Sequence, residues 1–288
     1  MEPTMPAKLA AQLPYTLRLP HRQSTSAVFA SPHSGDFYPA DFVAQAVLPL
    51  DVLRSSEDAF VDRFLAVEGA PVLTARYPRA FVDLNRSADD LDPAVIAGAV
   101  GRANARIAAG LGVIPRVVSG GRAIYRGKLS QAEAAGRLAT VWHPYHACLR
   151  ALLDETRAAF GEAILFDFHS MPSEAIEITG PLRPEIVIGD RYGASASARV
   201  IGAALAAFEA EGFRVARNAP FAGAYIAQTY GQPDQGVHVL QIEIDRALYM
   251  DQRTIRPLPE FDAFAQRIAA VIAGLADIGR KPARLAAE

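Results

Sequence analysis

The stretch ILFDFHS, residues 164–170, contains the feature that decides the fold class. Residues 164–168 form an apolar run that only Asp167 interrupts, and the run ends at His169. A short apolar run of this kind is typical of a strand that is buried on both faces. Comparable runs predict further strands over residues 27–30, 71–74, 80–84, 186–188, 213–216 and 237–244.

The segments between these runs have the apolar spacing of amphipathic helices. The predicted helices cover residues 40–54, 57–68, 92–110, 130–152, 194–211 and 259–278. Pro144 should kink or divide the fourth of them, because proline removes a backbone donor. Short strands alternating with helices predict an α/β fold with a largely buried sheet. We expect one domain over residues 26–288, preceded by a loose, proline-punctuated arm over residues 1–25.

The composition excludes several classes of protein. Of the 288 residues, 51% are apolar and 21% are charged, which is ordinary for a globular chain. The net charge of −2 gives no general affinity for nucleic acids or anionic lipids. No apolar run has the length of a signal peptide or a membrane span, and the single cysteine, Cys148, cannot form an intrachain disulfide. These features predict a soluble, cytoplasmic protein without nucleic-acid or membrane partners.

Polar residues occur at the ends of several predicted strands, where ligands bind in open α/β sheets. They are His33, the pair Asn85-Arg86, His169 and Asp190, with Glu243 inside the last strand. Imidazole and carboxylate groups are ligands that zinc accepts, and a catalytic zinc site commonly has three protein ligands. The sequence therefore predicts a zinc site that contains His33 and His169.

The residues alone leave the third zinc ligand open. Asp36 follows His33 by three residues, a short spacing found in many zinc sites. Glu57 and Asp58 follow two serines at the start of a predicted helix. An acidic pair at that position equally suits the positive end of the helix dipole. All three carboxylates are candidates at this point.

Glu243 is the candidate general base. In a strand, Gln241, Glu243 and Asp245 point to one face and the apolar residues between them to the other. A carboxylate beside a bound metal can take a proton from water and deliver it to a leaving amine. The alternative interpretation is a strand with one solvated face.

Two basic features are candidates for binding an anion. Asn85-Arg86 is a plausible carboxylate grip because a guanidinium binds carboxylate as a two-pronged fork, although Asp83 offers Arg86 a structural ion pair. The loop 112–129 has Gly120-Gly121 at its middle and contains no acid. Its basic residues are Arg116, Arg122, Arg126 and Lys128. This loop is either a solvated surface or a flap over an acidic small molecule.

Other catalytic motifs are absent from the sequence. It contains no Gly-x-Ser-x-Gly elbow, no Walker loop, and no Gly-x-Gly-x-x-Gly after the first strand. The run WHPYH, residues 142–146, places His143 and His146 on a predicted helix. These histidines are candidates for carrying protons or supporting the site, and partly buried helix residues are the alternative.

Taken in order, the motifs resemble those of the N-formylglutamate amidohydrolase family over residues 27–255. The motifs are SPHSG (31–35), ED (57–58), VDLNR (82–86), PYH (144–146), DFHS (167–170), GDR (189–191) and HVLQIE (238–243). The resemblance implies a single α/β domain with a central mixed β-sheet flanked by helices. Such a fold is similar to zinc-dependent exopeptidases and carboxypeptidases, and is of the phosphorylase/hydrolase-like type.

The resemblance also implies roles for individual residues. The zinc ligands would be His33 and His169 with one acid, ranked Asp58 first, Glu57 second and Asp36 third. Glu243 matches the general base, and Asn85 and Arg86 match the carboxylate grip. We add Arg122, Arg126 and His146 as further candidates for substrate binding.

The expected function is hydrolysis of the formamide bond of N-formyl-L-glutamate to formate and L-glutamate, with zinc as the cofactor. The family resemblance places this reaction in histidine degradation, and the expected partner is a small acidic substrate. One alternative is another zinc amidase or peptidase acting on an N-acyl acidic amino acid. The second alternative is a non-catalytic protein that binds an acidic metabolite, and such a protein should purify without stoichiometric zinc.

Overall fold

The computed structural model describes residues 13–101, 104–176 and 183–280. The strands are β1 (Tyr15–Arg18), β2 (Ala27–Ser31), β3 (Val72–Ala75), β4 (Val117–Val118), β5 (Arg122–Ala123), β6 (Ala163–Met171), β7 (Ile186–Gly189), β8 (Val215–Arg217), β9 (Val237–Asp245), β10 (Met250–Asp251) and β11 (Arg256–Pro257). The α-helices are α1 (Ala40–Gln45), α2 (Leu50–Leu53), α3 (Val61–Phe64), α4 (Ala105–Ala108), α5 (Gln131–Arg137), α6 (His143–Phe160), α7 (Ala198–Ala210), α8 (Tyr225–Tyr230) and α9 (Phe261–Ile278). A π-helix, Leu138–Trp142, joins α5 to α6.

Seven strands form one mixed sheet in the order β1-β3-β2-β6-β9-β7-β8. Strands β3, β2, β6 and β9 run parallel to one another. At one edge β1 pairs antiparallel with β3, and on the other side β7, which is parallel to β8, pairs antiparallel with β9. Helices cover both faces of the sheet. The predicted central mixed sheet flanked by helices is therefore confirmed.

Alternate residues of the central strands face opposite layers of the core. Phe166 and Leu240 pack with residues of α7 and α9, whereas Leu165 and Val239 pack with residues of α6. Phe166 also stacks on Phe29 of the neighbouring strand, with ring centroids 5.4 Å apart. Because both faces are covered, the strands need apolar residues at nearly every position, which explains the unbroken apolar runs in the sequence.

The face toward α6 becomes polar at the carboxyl ends of β6 and β9. In the parallel register, Asp167 lies opposite Gln241 and His169 lies opposite Glu243. All four side chains are buried. The predicted alternation along β9 agrees with this arrangement, since the intervening Ile242 lies in the core of the opposite face. The sheet thus places a histidine and a glutamate from distant segments side by side.

The predicted helix from residue 130 onward is present, and its irregularity lies next to Pro144. The hydroxyl of Ser130 caps the helix by accepting a hydrogen bond from the Glu133 N–H at 3.1 Å. The backbone then widens into the π-helix Leu138–Trp142 just before Pro144, which has no N–H to donate to the preceding turn. Among the helices of the described residues, none is both long and apolar enough to cross a membrane.

Some predicted elements are wrong. Residues 80–84 form a buried turn and not a strand: the Asp83 N–H donates to Val113 O at 2.8 Å, outside any sheet. An apolar run shows burial but does not distinguish a strand from a buried turn. Within residues 92–110, only α4 is helical among the residues described. Pro93 and Gly98, whose φ is 71°, interrupt the stretch that was predicted as helix.

Other elements differ in length or position. Pro49 separates α1 from α2, so the predicted helix over residues 40–54 is divided. Only α3 is α-helical within residues 57–68. Strand β1 lies inside the segment predicted as a loose arm, because Tyr15 and Leu17 pack on the core while the strand pairs with β3. Residues 1–12 of that arm lie outside the described residues.

Candidate active site

Three predicted ligands converge beyond the carboxyl end of the sheet. His33 follows β2, Asp58 precedes α3, and His169 lies in β6. The Nδ1 atoms of the two histidines are 3.1 Å apart, and Asp58 Oδ2 lies 3.2 Å from His169 Nδ1 and 3.5 Å from His33 Nδ1. Two ligand atoms bound to one tetrahedral zinc at about 2.1 Å lie about 3.4 Å apart. The three atoms therefore have the spacing that one cation needs.

Each histidine is oriented by a second carboxylate on its other nitrogen. The Nε2–H of His33 donates to Asp83 Oδ1 at 2.7 Å, and that of His169 donates to Asp167 Oδ2 at 2.9 Å. A carboxylate on Nε2 fixes the proton there and leaves the Nδ1 lone pair free to bind a metal. The donor set therefore fits a divalent metal ion, and His33, Asp58 and His169 are the residues that can hold it.

Asp58 is ionised in this setting. Burial by itself would raise its pKa, but the close contacts with His169 and His33 and the charge of Arg246 hold the pKa of Asp58 well below its usual range. Arg246 Nη2 and the Ser170 hydroxyl both donate to Asp58 Oδ1, at 3.0 and 3.1 Å. The second oxygen, Oδ2, is the one that faces the histidines.

The other two candidate acids do not reach the histidines. Glu57 points to Arg54, whose Nε and Nη2 donate to its two carboxylate oxygens at 3.0 and 3.1 Å. Asp36 is exposed. The structure thus corrects the inclusion of Glu57 among the ligands: neighbouring residues of an extended segment point in opposite directions, and only Asp58 faces the centre.

Glu243 lines the same cavity as the three ligands. Its Oε1 accepts a hydrogen bond from Gln241 Nε2 at 2.8 Å. Burial raises the pKa of Glu243 to about 7, with His169 opposing and Asp58 assisting this shift. A carboxyl group with a pKa near neutrality can both accept and return a proton, which is the property of a general acid–base group.

Asn85 and Arg86 both line the cavity, but most of their polar atoms bind the protein itself. Asn85 Nδ2 donates to Gln241 Oε1 at 3.2 Å, and its Oδ1 accepts from the Ile226 N–H at 2.9 Å. Arg86 donates through Nη1 to Asn85 O and through Nε to Leu111 O. Burial lowers the pKa of Arg86 to about 10, so this guanidinium stays charged at neutral pH.

The cavity has a volume of about 410 Å³ and an unusual number of guanidinium groups in its wall. They belong to Arg79, Arg86, Arg106 and Arg246. Sequence reasoning identified only Arg86. Arg79 lies in a turn, where its Nε donates to Asp83 Oδ2 at 3.0 Å, and no periodic spacing in the sequence marks this pair.

Three residues predicted to bind substrate do not line this cavity. Arg122 is exposed and donates to Ser119 O and Ser55 Oγ, and Arg126 is exposed on the same loop. His146 is buried behind the cavity wall, where its Nε2–H donates to Leu84 O at 2.9 Å. The helix geometry directs His146 toward the backbone beside Asn85 and away from the cavity.

The site combines a buried metal-ligand cluster with an adjacent glutamate and an arginine-lined cavity, beyond the carboxyl ends of the central strands. These features define a site of the metal-dependent hydrolase type on an α/β fold. Over residues 25–250 the chain matches the family model of N-formylglutamate amidohydrolase. The chain belongs to this family, and the predicted resemblance is confirmed.

Individual relatives agree with the family. The chain is 37% identical over 190 residues to the N-formylglutamate deformylase of Pseudomonas aeruginosa, and the alignment covers 64% of this chain and 66% of that relative. The chain therefore spans just under two thirds of that relative's length. It is similar to the crystal structure of N-formylglutamate amidohydrolase from Ralstonia eutropha JMP134, with a TM-score of 0.87, 34% identity and coverage of 93% and 99% of the two chains. The gene product Atu2144 from Agrobacterium tumefaciens, with a TM-score of 0.62, 17% identity and 93% coverage of each chain, shares the fold.

Proposed function

We propose that the protein hydrolyses the formamide bond of N-formyl-L-glutamate, adding water across the C–N bond to give formate and L-glutamate. One observation carries the proposal: His33, Asp58 and His169 converge beside Glu243 in an arginine-lined cavity. Membership of the family and similarity to proteins named N-formylglutamate deformylase support this substrate.

We propose zinc as the metal, because two imidazoles and one carboxylate are a common ligand set for catalytic zinc. When bound, zinc polarises a carbonyl group and lowers the pKa of water toward about 7. Asp83 and Asp167 accept the Nε2–H of the two imidazoles and so aim both Nδ1 atoms at the centre. Burial of these four side chains and of Asp58 excludes bulk water, which strengthens the electrostatic interactions among them.

Glu243 is the proton carrier in the proposed reaction. It takes the proton of the attacking water and returns it to the departing nitrogen, which leaves as an amine. Gln241 holds one carboxylate oxygen of Glu243 at 2.8 Å and therefore fixes the direction of the other. The same Gln241 is held by Asn85 and by the Ala224 N–H. Asn85 thus acts in this proposal as a positioning residue for Glu243.

The arginines supply the binding of an acidic substrate. Arg86 is charged and lines the cavity, and its Nη2 has no hydrogen-bond partner among the described residues. Arg79 and Arg246 are paired with Asp83 and Asp58, so they contribute positive potential more than free donors. The proposal also includes a cytoplasmic location, which the single cysteine supports, and the role in histidine degradation implied by the family.

Replacement of Glu243 tests the proposal. Glu243→Gln keeps the size of the side chain but cannot carry a proton, so kcat for N-formylglutamate should fall about 10²–10⁴-fold. Zinc content, measured by elemental analysis, should stay at the wild-type level. Glu155→Gln, an exposed change on α6, is the matched control and should keep wild-type turnover.

Two outcomes contradict the proposal. If Glu243→Gln retained full turnover, the assignment of the base would be wrong. If the wild-type protein bound no metal and released no formate from N-formylglutamate, the alternative of a non-catalytic binder would replace the hydrolase.

A further inference from the structure

A second cleft adjoins the catalytic cavity, and the proposed reaction does not use it. It has a volume of about 590 Å³. Its polar and charged lining residues are Asn85, Arg86, Ser87, Asp90, Asn104, Arg106, Arg191, Tyr225, Gln228 and Thr229. We call it the arginine cleft. The cleft and the cavity share Asn85, Arg86, Arg106, Gly223 and Ala224, so the two spaces are neighbours with a common wall.

The arginine cleft has the charge of an anion site. Arg86, Arg106 and Arg191 line it, and Asp90 is the one acid among the described lining residues. Asp90 is itself occupied, because it accepts hydrogen bonds from Asn104 Nδ2 at 3.1 Å and from the Ser87 N–H at 3.3 Å. The lining therefore carries an excess of positive charge that a carboxylate can neutralise.

Two of these guanidinium groups have donors to spare. The Arg106 guanidinium has no hydrogen-bond or ion-pair partner among the described residues, and Arg106 lies in the common wall. Arg191 has one long hydrogen bond, from Nη1 to Gln228 Oε1 at 3.4 Å. The backbone of Arg191 is held at φ 53° by its N–H donating to Ala222 O at 2.7 Å. A long side chain is uncommon at positive φ, and such positions cluster at binding sites.

The spaces on either side of the catalytic cavity differ in polarity. On its other side, beyond Arg79 and Arg246, lies a space of about 350 Å³ with an apolar lining that includes Leu111, Val117 and Phe221. The acyl end of an amide substrate suits this apolar side. The carboxylate end suits the common wall with the arginine cleft, because Arg86 and Arg106 have unbound N–H donors there, whereas Arg79 and Arg246 are each paired with a carboxylate.

N-formylglutamate, with about a dozen non-hydrogen atoms, fits within the catalytic cavity and leaves the cleft unused. One further amino acid extends a chain by about 3.5 Å, so a second residue can reach beyond the space that N-formylglutamate fills. We propose that the arginine cleft is a second carboxylate subsite, and that the substrate class includes N-formyl dipeptides whose second residue is acidic. This inference rests on the proposed hydrolysis, with the peptide amine as the leaving group.

The test compares three substrates with the metal-loaded enzyme: N-formylglutamate, N-formyl-glutamyl-glutamate and N-formyl-glutamyl-alanine. The wild type should hydrolyse the acidic dipeptide with a kcat/KM at least about tenfold above that of the alanine dipeptide, since a charged hydrogen-bonding pair commonly gives tenfold or more. Arg191→Gln should reduce this ratio to near one, and Arg191→Lys should retain part of it. Arg253→Gln, an exposed control, should leave the ratio unchanged.

The outcomes separate this inference from the proposed function. Hydrolysis of N-formylglutamate without hydrolysis of either dipeptide, or equal rates for both dipeptides, overturns the second subsite alone. If N-formylglutamate is not hydrolysed, the proposed function fails, and titration calorimetry with N-formyl-glutamyl-glutamate still decides on the subsite. Binding that weakens about tenfold in Arg191→Gln but not in Arg253→Gln supports it, and no binding, or equal binding by all variants, overturns it.

Discussion

His146 makes the stability of this protein depend on pH in a way that can be calculated. Its ring is buried on α6 between the carbonyl of Leu84 and the hydroxyl of Tyr230. Burial lowers the pKa of His146 to about 4, assisted by nearby positive charge, although the bond to Leu84 O opposes the shift. In the unfolded chain the same group has a pKa of about 6.5. The folded protein therefore holds this histidine neutral at pH values where the unfolded chain protonates it.

The sign of the effect follows from proton binding. Below pH about 6.5 the unfolded state binds a proton that the folded state does not, so the free energy of unfolding falls as the pH falls. A difference of about 2.5 pKa units gives a loss of about 2 kcal/mol on going from pH 7.5 to pH 5, and about 3 kcal/mol by pH 4. The contribution is fully present above pH about 6.5.

Urea unfolding at pH 7.5, 6.5, 5.5 and 5.0 measures this effect. The chain should be stripped of metal with a chelator, so that all variants are compared in one state. His146→Gln keeps a donor for Leu84 O but does not titrate, so its free energy of unfolding should fall about 2 kcal/mol less than that of the wild type over this range. Glu155→Gln, an exposed change on the same helix, should follow the wild type. Parallel pH profiles for wild type and His146→Gln would show that His146 is not the source of the pH dependence.

Two further predictions concern the site. Asp167→Asn removes the charge that orients His169 and should weaken zinc binding about 10–100-fold in a chelator competition, whereas exposed Asp154→Asn should not; an unchanged Kd contradicts the role of Asp167. Arg86→Gln should raise KM for N-formylglutamate about 10–100-fold more than for N-formylalanine, because it removes a charged donor for a carboxylate. Equal losses for both substrates would show that Arg86 does not bind the side-chain carboxylate of the substrate.

Local sequence patterns predicted the parts of the fold that depend on local physics. Residues 164–168 are apolar except for Asp167, and five of the eight residues 237–244 are apolar, because both faces of a central strand are buried; these two strands were placed correctly. The Ser130 cap and the break beside Pro144 are also local effects of side chain on backbone. Residues 80–84 show the limit: a similar apolar composition occurs in a buried turn, in which the Phe81 and Val82 N–H groups bond locally to Pro78 O and the Asp83 N–H bonds to Val113 O.

The candidate site shows the same contrast between local and long-range information. The motifs pointed to His33, Asp58, His169 and Glu243, because imidazole and carboxylate groups are recognisable in the sequence as metal ligands and proton carriers. The Asp-x-His spacing of Asp167 and His169 also predicts their contact, because alternate residues of a strand share a face, but this pair was not among the predicted site residues.

The amino-acid sequence sets the chemistry that is available: which imidazoles, carboxylates and guanidinium groups the chain possesses, and which of them fall at strand ends. Which of these groups meet depends on the packing of the folded chain. It turned Asp58 toward the histidines and Glu57 toward Arg54, and it brought Arg106 to the cavity while leaving Arg126 on the surface. The reason is that direction and proximity depend on how separate segments pack, and no residue's identity records the position of a segment far away along the chain.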